Sequence, residues 1–187
     1  MPARVGPIAV AASADTATVI WPDGKGRPCT AVFSLDPGKP LIASILIDGR
    51  QVVGRAQPVY RASTGKRRGG FDQFFDFPPS HPDGTRSFLG DFKLPRGRAK
   101  YDGDRLDMAF AGFKLGIFQG SIHYIFYPGS NLIEQRALVS TSEPDTAYSY
   151  DAGLRMAVDE DAAYFGCSGA SLTGAFLEGF VRSPSPA

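Results

Sequence analysis

The chain has 187 residues and a mass of 20.0 kDa, a length that suits one domain able to bury a real core. An apolar fraction of 43% with a charged fraction of 21% excludes a disordered chain. Twenty Lys plus Arg against nineteen Asp plus Glu leave a formal charge of +1, so no global field draws the protein to nucleic acid or to an anionic membrane.

In chain order, the N-terminal MPARVGPIAVAASADTATV has Ala-rich apolar stretches but no continuous hydrophobic block, and Asp15 interrupts it. The expectation is a cytoplasmic protein as the sequence stands, or an exported one if a leader has been removed. No run approaches the roughly 18 apolar residues of a membrane helix. Period-2 alternation then recurs, whereas a helical stripe does not, so the fold is expected to be mostly β. Residues 18–21 begin a strand that stops at the turn cluster Pro22-Asp23-Gly24-Lys25-Gly26, and 30–35 continue as strand before Asp36-Pro37-Gly38. Residues 41–47 and 50–53 flank Asp48-Gly49, a pair suited to a type I′ hairpin turn.

The segment 64–92 concentrates rings and short acids among turn formers. Phe71, Phe74, Phe75 and Phe77 read either as a stacking platform for a sugar or as a plug of rings under a long loop, with Asp72 and Asp76 able to bond hydroxyls. Asp72, Asp76, Asp83 and Asp91 also supply carboxylates of the type glycoside hydrolysis needs in pairs, although short acids beside Gly and Pro commonly cap turns. The basic run Lys66-Arg67-Arg68 reads as a solvated turn.

Beyond the turn Tyr101-Asp102-Gly103-Asp104, Leu106, Met108 and Phe110 share one strand face with Asp107 opposite. In 121–127, Ile122, Tyr124 and Phe126 lie together, with His123, Ile125 and Tyr127 on the other side. In 131–140, Ile133, Ala137 and Val139 oppose Glu134 and Arg136. An Arg two residues from Glu134 favours the ionised carboxylate, so Glu134 suits a base or hydroxyl acceptor better than a general acid; an exposed ion pair is the plainer alternative. His123 is a candidate acid or base, or a hydrogen-bonded strand residue. Residues 147–154 form a further strand, and Asp159-Glu160-Asp161 can open a helix in a tail, from about 160, that is otherwise irregular.

No complete catalytic or cofactor motif is present. Gly166-Cys167-Ser168-Gly169-Ala170 misses the G-x-S-x-G elbow and lacks the βαβ context that motif needs. His81 and His123 are the only histidines and lack metal-ligand spacing, so neither a metal nor another cofactor is expected. Cys29 and Cys167 read as free thiols or as one disulfide.

Within 112–154, the turn Tyr127-Pro128-Gly129-Ser130, the strand carrying Glu134 and Tyr150-Asp151-Ala152-Gly153-Leu154 resemble strand segments of galactose-mutarotase-like and related β-sandwiches in bacterial carbohydrate-active proteins. The resemblance implies a fold class and a substrate class, with no catalytic motif mapping onto this chain. Taken together, the expectation is a single β-rich domain over 1–187, an antiparallel β-sandwich or jelly roll or part of a larger sandwich. It would bind or process carbohydrate or another small polar ligand. The candidate catalytic residues are Glu134, Asp72, Asp76 and His123, and the candidate ligand contacts are Phe74, Phe75, Tyr124 and Arg136. Two alternatives stand beside it: a non-catalytic interaction module, self-associating through sheet edges and exposed rings, and a serine esterase acting through Ser168.

Overall fold

The computed structural model describes residues 3–66, 85–156, 164–167, 170–173 and 179–181. Among these residues every regular element is a strand and every pairing is antiparallel. The strands run β1 (Ala3–Val5), β2 (Ile8–Ala12), β3 (Thr16–Pro22), β4 (Pro28–Ser34), β5 (Ile42–Ile47), β6 (Arg50–Val53), β7 (Ala56–Lys66) and β8 (Arg86–Leu89). They continue with β9 (Asp91–Asp102), β10 (Arg105–Leu115), β11 (Phe118–Phe126), β12 (Ile133–Ser140), β13 (Thr146–Met156), β14 (Tyr164–Cys167), β15 (Ala170–Thr173) and β16 (Gly179–Val181).

One sheet has ten strands in the order β1-β2-β3-β4-β5-β7-β13-β16, with β6 on β5 and β8 on β7; the second has the order β12-β11-β10-β9. The two sheets pack face to face as a sandwich, as the alternation predicts. Ala17, Val19 and Trp21 of β3 and Cys29, Ala31 and Phe33 of β4 are buried, and they meet Leu106, Met108 and Phe110 of β10 and Ile122, Tyr124 and Phe126 of β11. Each set occupies every second position, because side chains on a strand alternate between faces. Aromatic rings bridge the sheets: Trp21 meets Phe126 edge-on at 4.8 Å, and Phe33 lies 4.9 Å from both Phe110 and Tyr124. Each large side chain buried this way contributes about 1.5–3 kcal/mol.

Two local devices keep this pattern in register. Asp48 and Gly49, with φ of 52° and 74°, form the tight β5–β6 turn that the Asp-Gly pair predicts. In β10 the register shifts between Ala111 and Phe113 at Gly112, whose φ is 90°. That bulge reverses the parity of the strand, so even positions face the core before it, while Phe113 and Leu115 do so after it. At one end of the sandwich, Gly129 N–H donates to Pro22 O over 2.9 Å and Trp21 Nε1 donates to Ser130 O over 2.7 Å, joining the two turns that the sequence marks at 22–26 and 128–130.

In the tail the described residues are strands, with β14 pairing β15 and β16 pairing β13 at Ala152–Leu154, while Asp159, Glu160 and Asp161, where a helix start is expected, lie outside the described residues. Cys29 is a free, buried thiol, and its burial raises its pKa. No helix among the described residues is long and apolar enough to cross a membrane.

Candidate functional site

Strand β12 lies at the edge of the four-stranded sheet and presents polar side chains on both of its faces. On the outward face, Glu134 and Arg136 form the ion pair expected from their two-residue spacing, with Arg136 Nε donating to Glu134 Oε1 over 2.9 Å. Tyr127 Oη donates to the other carboxylate oxygen, Oε2, over 2.8 Å. The Tyr127 hydroxyl and then the Arg136 guanidinium hold the Glu134 carboxyl below its ordinary value, and the same bond raises the Tyr127 phenol. Glu134 is therefore an acceptor at neutral pH, unsuited to deliver a proton.

The adjacent strands extend this face. Pairing sets Arg136 opposite His123, His123 opposite Ala109 and Ala109 opposite Arg98, while Glu134, Ile125, Asp107 and Lys100 form the next row. His123 Nδ1 lies 2.7 and 2.9 Å from the two Asp107 carboxylate oxygens, and its Nε2 lies 2.7 Å from Ser121 Oγ. A carboxylate only accepts, so Nδ1 carries the proton and Nε2 is free to accept from the Ser121 hydroxyl. The His123 side chain is 12% exposed and that of Asp107 is 32% exposed.

On the inward face, Gln135 is the central residue. Tyr124 Oη donates to Gln135 Oε1 over 3.0 Å, and Gln135 Nε2 donates to Tyr60 Oη of β7 over 3.1 Å. Burial raises both phenols, that of Tyr124 well above its ordinary value. Beside this chain of bonds stand Tyr148 and Tyr150 of β13. They pair with Thr64 and Ala62 of β7, both buried, and so share the sandwich-facing side of the large sheet, where it extends past the cover of the smaller one. Tyr148 is 47% and Tyr150 63% exposed. Phe118 packs edge-on against Tyr148 at 5.5 Å, and Tyr150 lies within electrostatic reach of Tyr60.

Of the residues expected to form a site, Glu134, Arg136 and His123 lie on one outward face. Tyr124 requires correction: it is 3% exposed and packs on Phe33 and Phe110, so its ring belongs to the core and only its hydroxyl takes part in a polar network. Its alternation partners Ile122 and Phe126 face the same way, which is why the ring is drawn inward. Asp72, Asp76, Phe74, Phe75 and Ser168 lie outside the described residues. The reading of the sequence missed four contributors: Ser121 and Asp107 as partners of His123, and Tyr148 and Tyr150 as exposed rings. The i, i+2 spacing of Ser121 with His123 and of Tyr148 with Tyr150 was the available signal; the approach of Asp107 depends on the β10–β11 register.

Among the described residues, no three His, Cys, Asp or Glu side chains converge as a metal-binding group. A recess of about 280 Å³ lies elsewhere, between the 37–41 loop, Gln57, Phe92 and Arg155, and contains none of the expected site residues. No protein-family model matches the chain, and no curated protein matches it either.

Proposed function

We propose that this domain binds carbohydrate along the seam between β12 and β13. The observation that carries the reading is the pair of exposed rings, Tyr148 and Tyr150, on one strand face beside the Gln135–Tyr60 hydrogen bond. Two residues along a strand separate such rings by about 6.7 Å, so an extended ligand can meet both. Apolar ring faces suit the CH faces of sugars, while an amide and phenols supply donors and acceptors for hydroxyls, a combination typical of sites for small polar ligands. The resemblance of 112–154 to mutarotase-like sandwiches supports the same substrate class.

Binding is favoured over glycosidic cleavage. Cleavage needs one carboxyl that stays protonated and one that does not, and Glu134 is held as a carboxylate by Tyr127 and Arg136. A cleaving version would use Glu134 as base with an acid from elsewhere in the chain. It fails if Glu134→Gln retains full turnover on a glycoside that the wild type cleaves.

Affinity electrophoresis through gels containing soluble glucans, galactans or mannans tests the binding reading. Wild type should be retarded by at least one polysaccharide, and loss of either ring should weaken binding about tenfold, or 1.4 kcal/mol. Unchanged retardation of a folded Tyr148→Ala/Tyr150→Ala variant, or no retardation of wild type by any of them, would reject it.

A second reading, self-association through the β12 edge, is favoured by the exposure of Leu132 (73%), Leu138 (49%) and Val139 (37%) on or beside that strand. Light scattering coupled to gel filtration separates it from the first, since a monomer at all concentrations excludes it.

A further inference from the structure

We propose that Ser121 is a nucleophile served by His123 and Asp107, and that the outer face of the four-stranded sheet hydrolyses small, accessible carboxylic esters. The inference rests on geometry. Ser121 Oγ lies 2.7 Å from His123 Nε2, and His123 Nδ1 lies within 2.9 Å of both Asp107 oxygens. These are the contacts by which a serine hydroxyl, an imidazole and a carboxylate act as nucleophile, general base and orienting group on unrelated folds, irrespective of sequence order. Here the hydroxyl and imidazole are fixed by a two-residue spacing on β11, and the carboxylate comes from β10 through the sheet register.

In the first step Ser121 Oγ forms a bond to the ester carbonyl carbon while its proton passes to His123 Nε2. The tetrahedral species collapses by breaking the bond to the alkoxy or aryloxy group, which leaves with that proton from Nε2. Water then attacks the acyl-serine carbonyl, giving a proton to Nε2, and the acid departs as the proton returns to Ser121 Oγ. Asp107 is a positioning residue in this scheme: it fixes Nδ1–H and supports the imidazolium. The oxyanion develops at Ser121, in the row next to that of His123, which carries Arg98 beyond Ala109 on one side and Arg136, paired with Glu134, on the other. An open sheet face imposes little selection on the acyl group, so small and activated esters are the substrate class.

The test uses the full-length chain with a fluorophosphonate probe, followed by peptide mapping, with p-nitrophenyl acetate hydrolysis measured in parallel. The expected result is one adduct, on the peptide containing Ser121, absent in Ser121→Ala and retained in Ser44→Ala. Asp107→Asn should label at least tenfold more slowly while circular dichroism shows it folded. Should Asp107→Asn lose that folded signature, His123→Gln decides: a folded His123→Gln variant that no longer labels supports the relay, and one that labels at the wild-type rate overturns it. Labelling of another serine, no labelling, or equal rates in wild type and a folded Asp107→Asn variant would each overturn the proposal.

Discussion

Gln135 reaches from the edge strand of one sheet to the Tyr60 hydroxyl on the other, 3.1 Å away, while its carbonyl oxygen accepts from Tyr124. One amide thus satisfies two phenols whose rings are 4% and 3% exposed. The bond is also a tie between sheets at the margin of the tyrosine seam, so it links the stability of the sandwich to the shape of the proposed binding surface.

Gln135→Leu should therefore be costly for a half-buried position. It leaves two buried hydroxyls without their partner, at about 1–3 kcal/mol for each group that water cannot reach. Adding Tyr60→Phe and Tyr124→Phe to Gln135→Leu should recover most of the loss, because polar groups removed together are no longer stranded. Urea midpoints at constant m-value measure both effects. A triple variant no more stable than Gln135→Leu alone would show that packing, not hydrogen bonding, sets the cost.

Thr64 offers the opposite case. It is 1% exposed, its Oγ1 has no hydrogen-bond partner, and it lies opposite Tyr148 on the inner face. Thr64→Val keeps the shape and the β-branch while deleting the orphaned hydroxyl, and should raise stability by about 1 kcal/mol. Thermal melts check it, at about 2–4 °C per kcal/mol for a chain of this length. A lower melting midpoint would mean that the hydroxyl is satisfied in solution.

Gly120 explains why β11 and β12 approach as they do. A Cβ added there would run into the Leu138 carbonyl oxygen and crowd the Val139 Cα, both main-chain atoms that cannot rotate away. Gly120→Ala should part the two strands locally and cost about 1–3 kcal/mol, the usual range for overpacking. Hydrogen exchange should report faster opening of β12 amides than of those in β3 and β4. Equal protection in variant and wild type would sink the idea.

What was legible in the sequence follows from where the physics is local. Leu106-Met108-Phe110 and Ile122-Tyr124-Phe126 alternate because one face is dry, and Asp48-Gly49 turns because both positions tolerate positive φ. Strand β7 was hidden by Pro58, Arg61, Ser63 and Gly65, which interrupt any apolar repeat, and β9 by Arg98, Lys100 and Asp102 on its solvent face. Similarly, Glu134 and Arg136 declare their pairing by spacing, whereas Asp107 meets His123 only once β10 and β11 are in register. Tyr148 and Tyr150 could be assigned to one strand face from sequence, but their exposure depends on how far the smaller sheet covers the larger.

The turn at Asp23 makes the last prediction, on pH. Asp23 is 5% exposed; its Oδ1 accepts from the Lys25 and Arg27 amides at 2.8 Å each, and its Oδ2 accepts from Arg27 Nε at 2.8 Å. Burial pushes its pKa up, but the hydrogen bonds from Arg27 and Lys25 outweigh it, and the carboxyl is held below its ordinary 3.8. A group lowered on folding stabilises the protein at any pH above its unfolded value and loses that contribution as pH falls through its folded value. The same turn packs by Gly24 against Gly129 and joins the two sheets through Pro22, so its loss should propagate. Asp23→Asn should lower the melting midpoint at pH 7, and the difference from wild type should shrink as the pH is taken below the ordinary Asp value and through the lower folded value. Melting curves from pH 2 to 7 for both proteins test this; a difference that stays constant across the range would locate the effect of Asp23 in shape rather than charge.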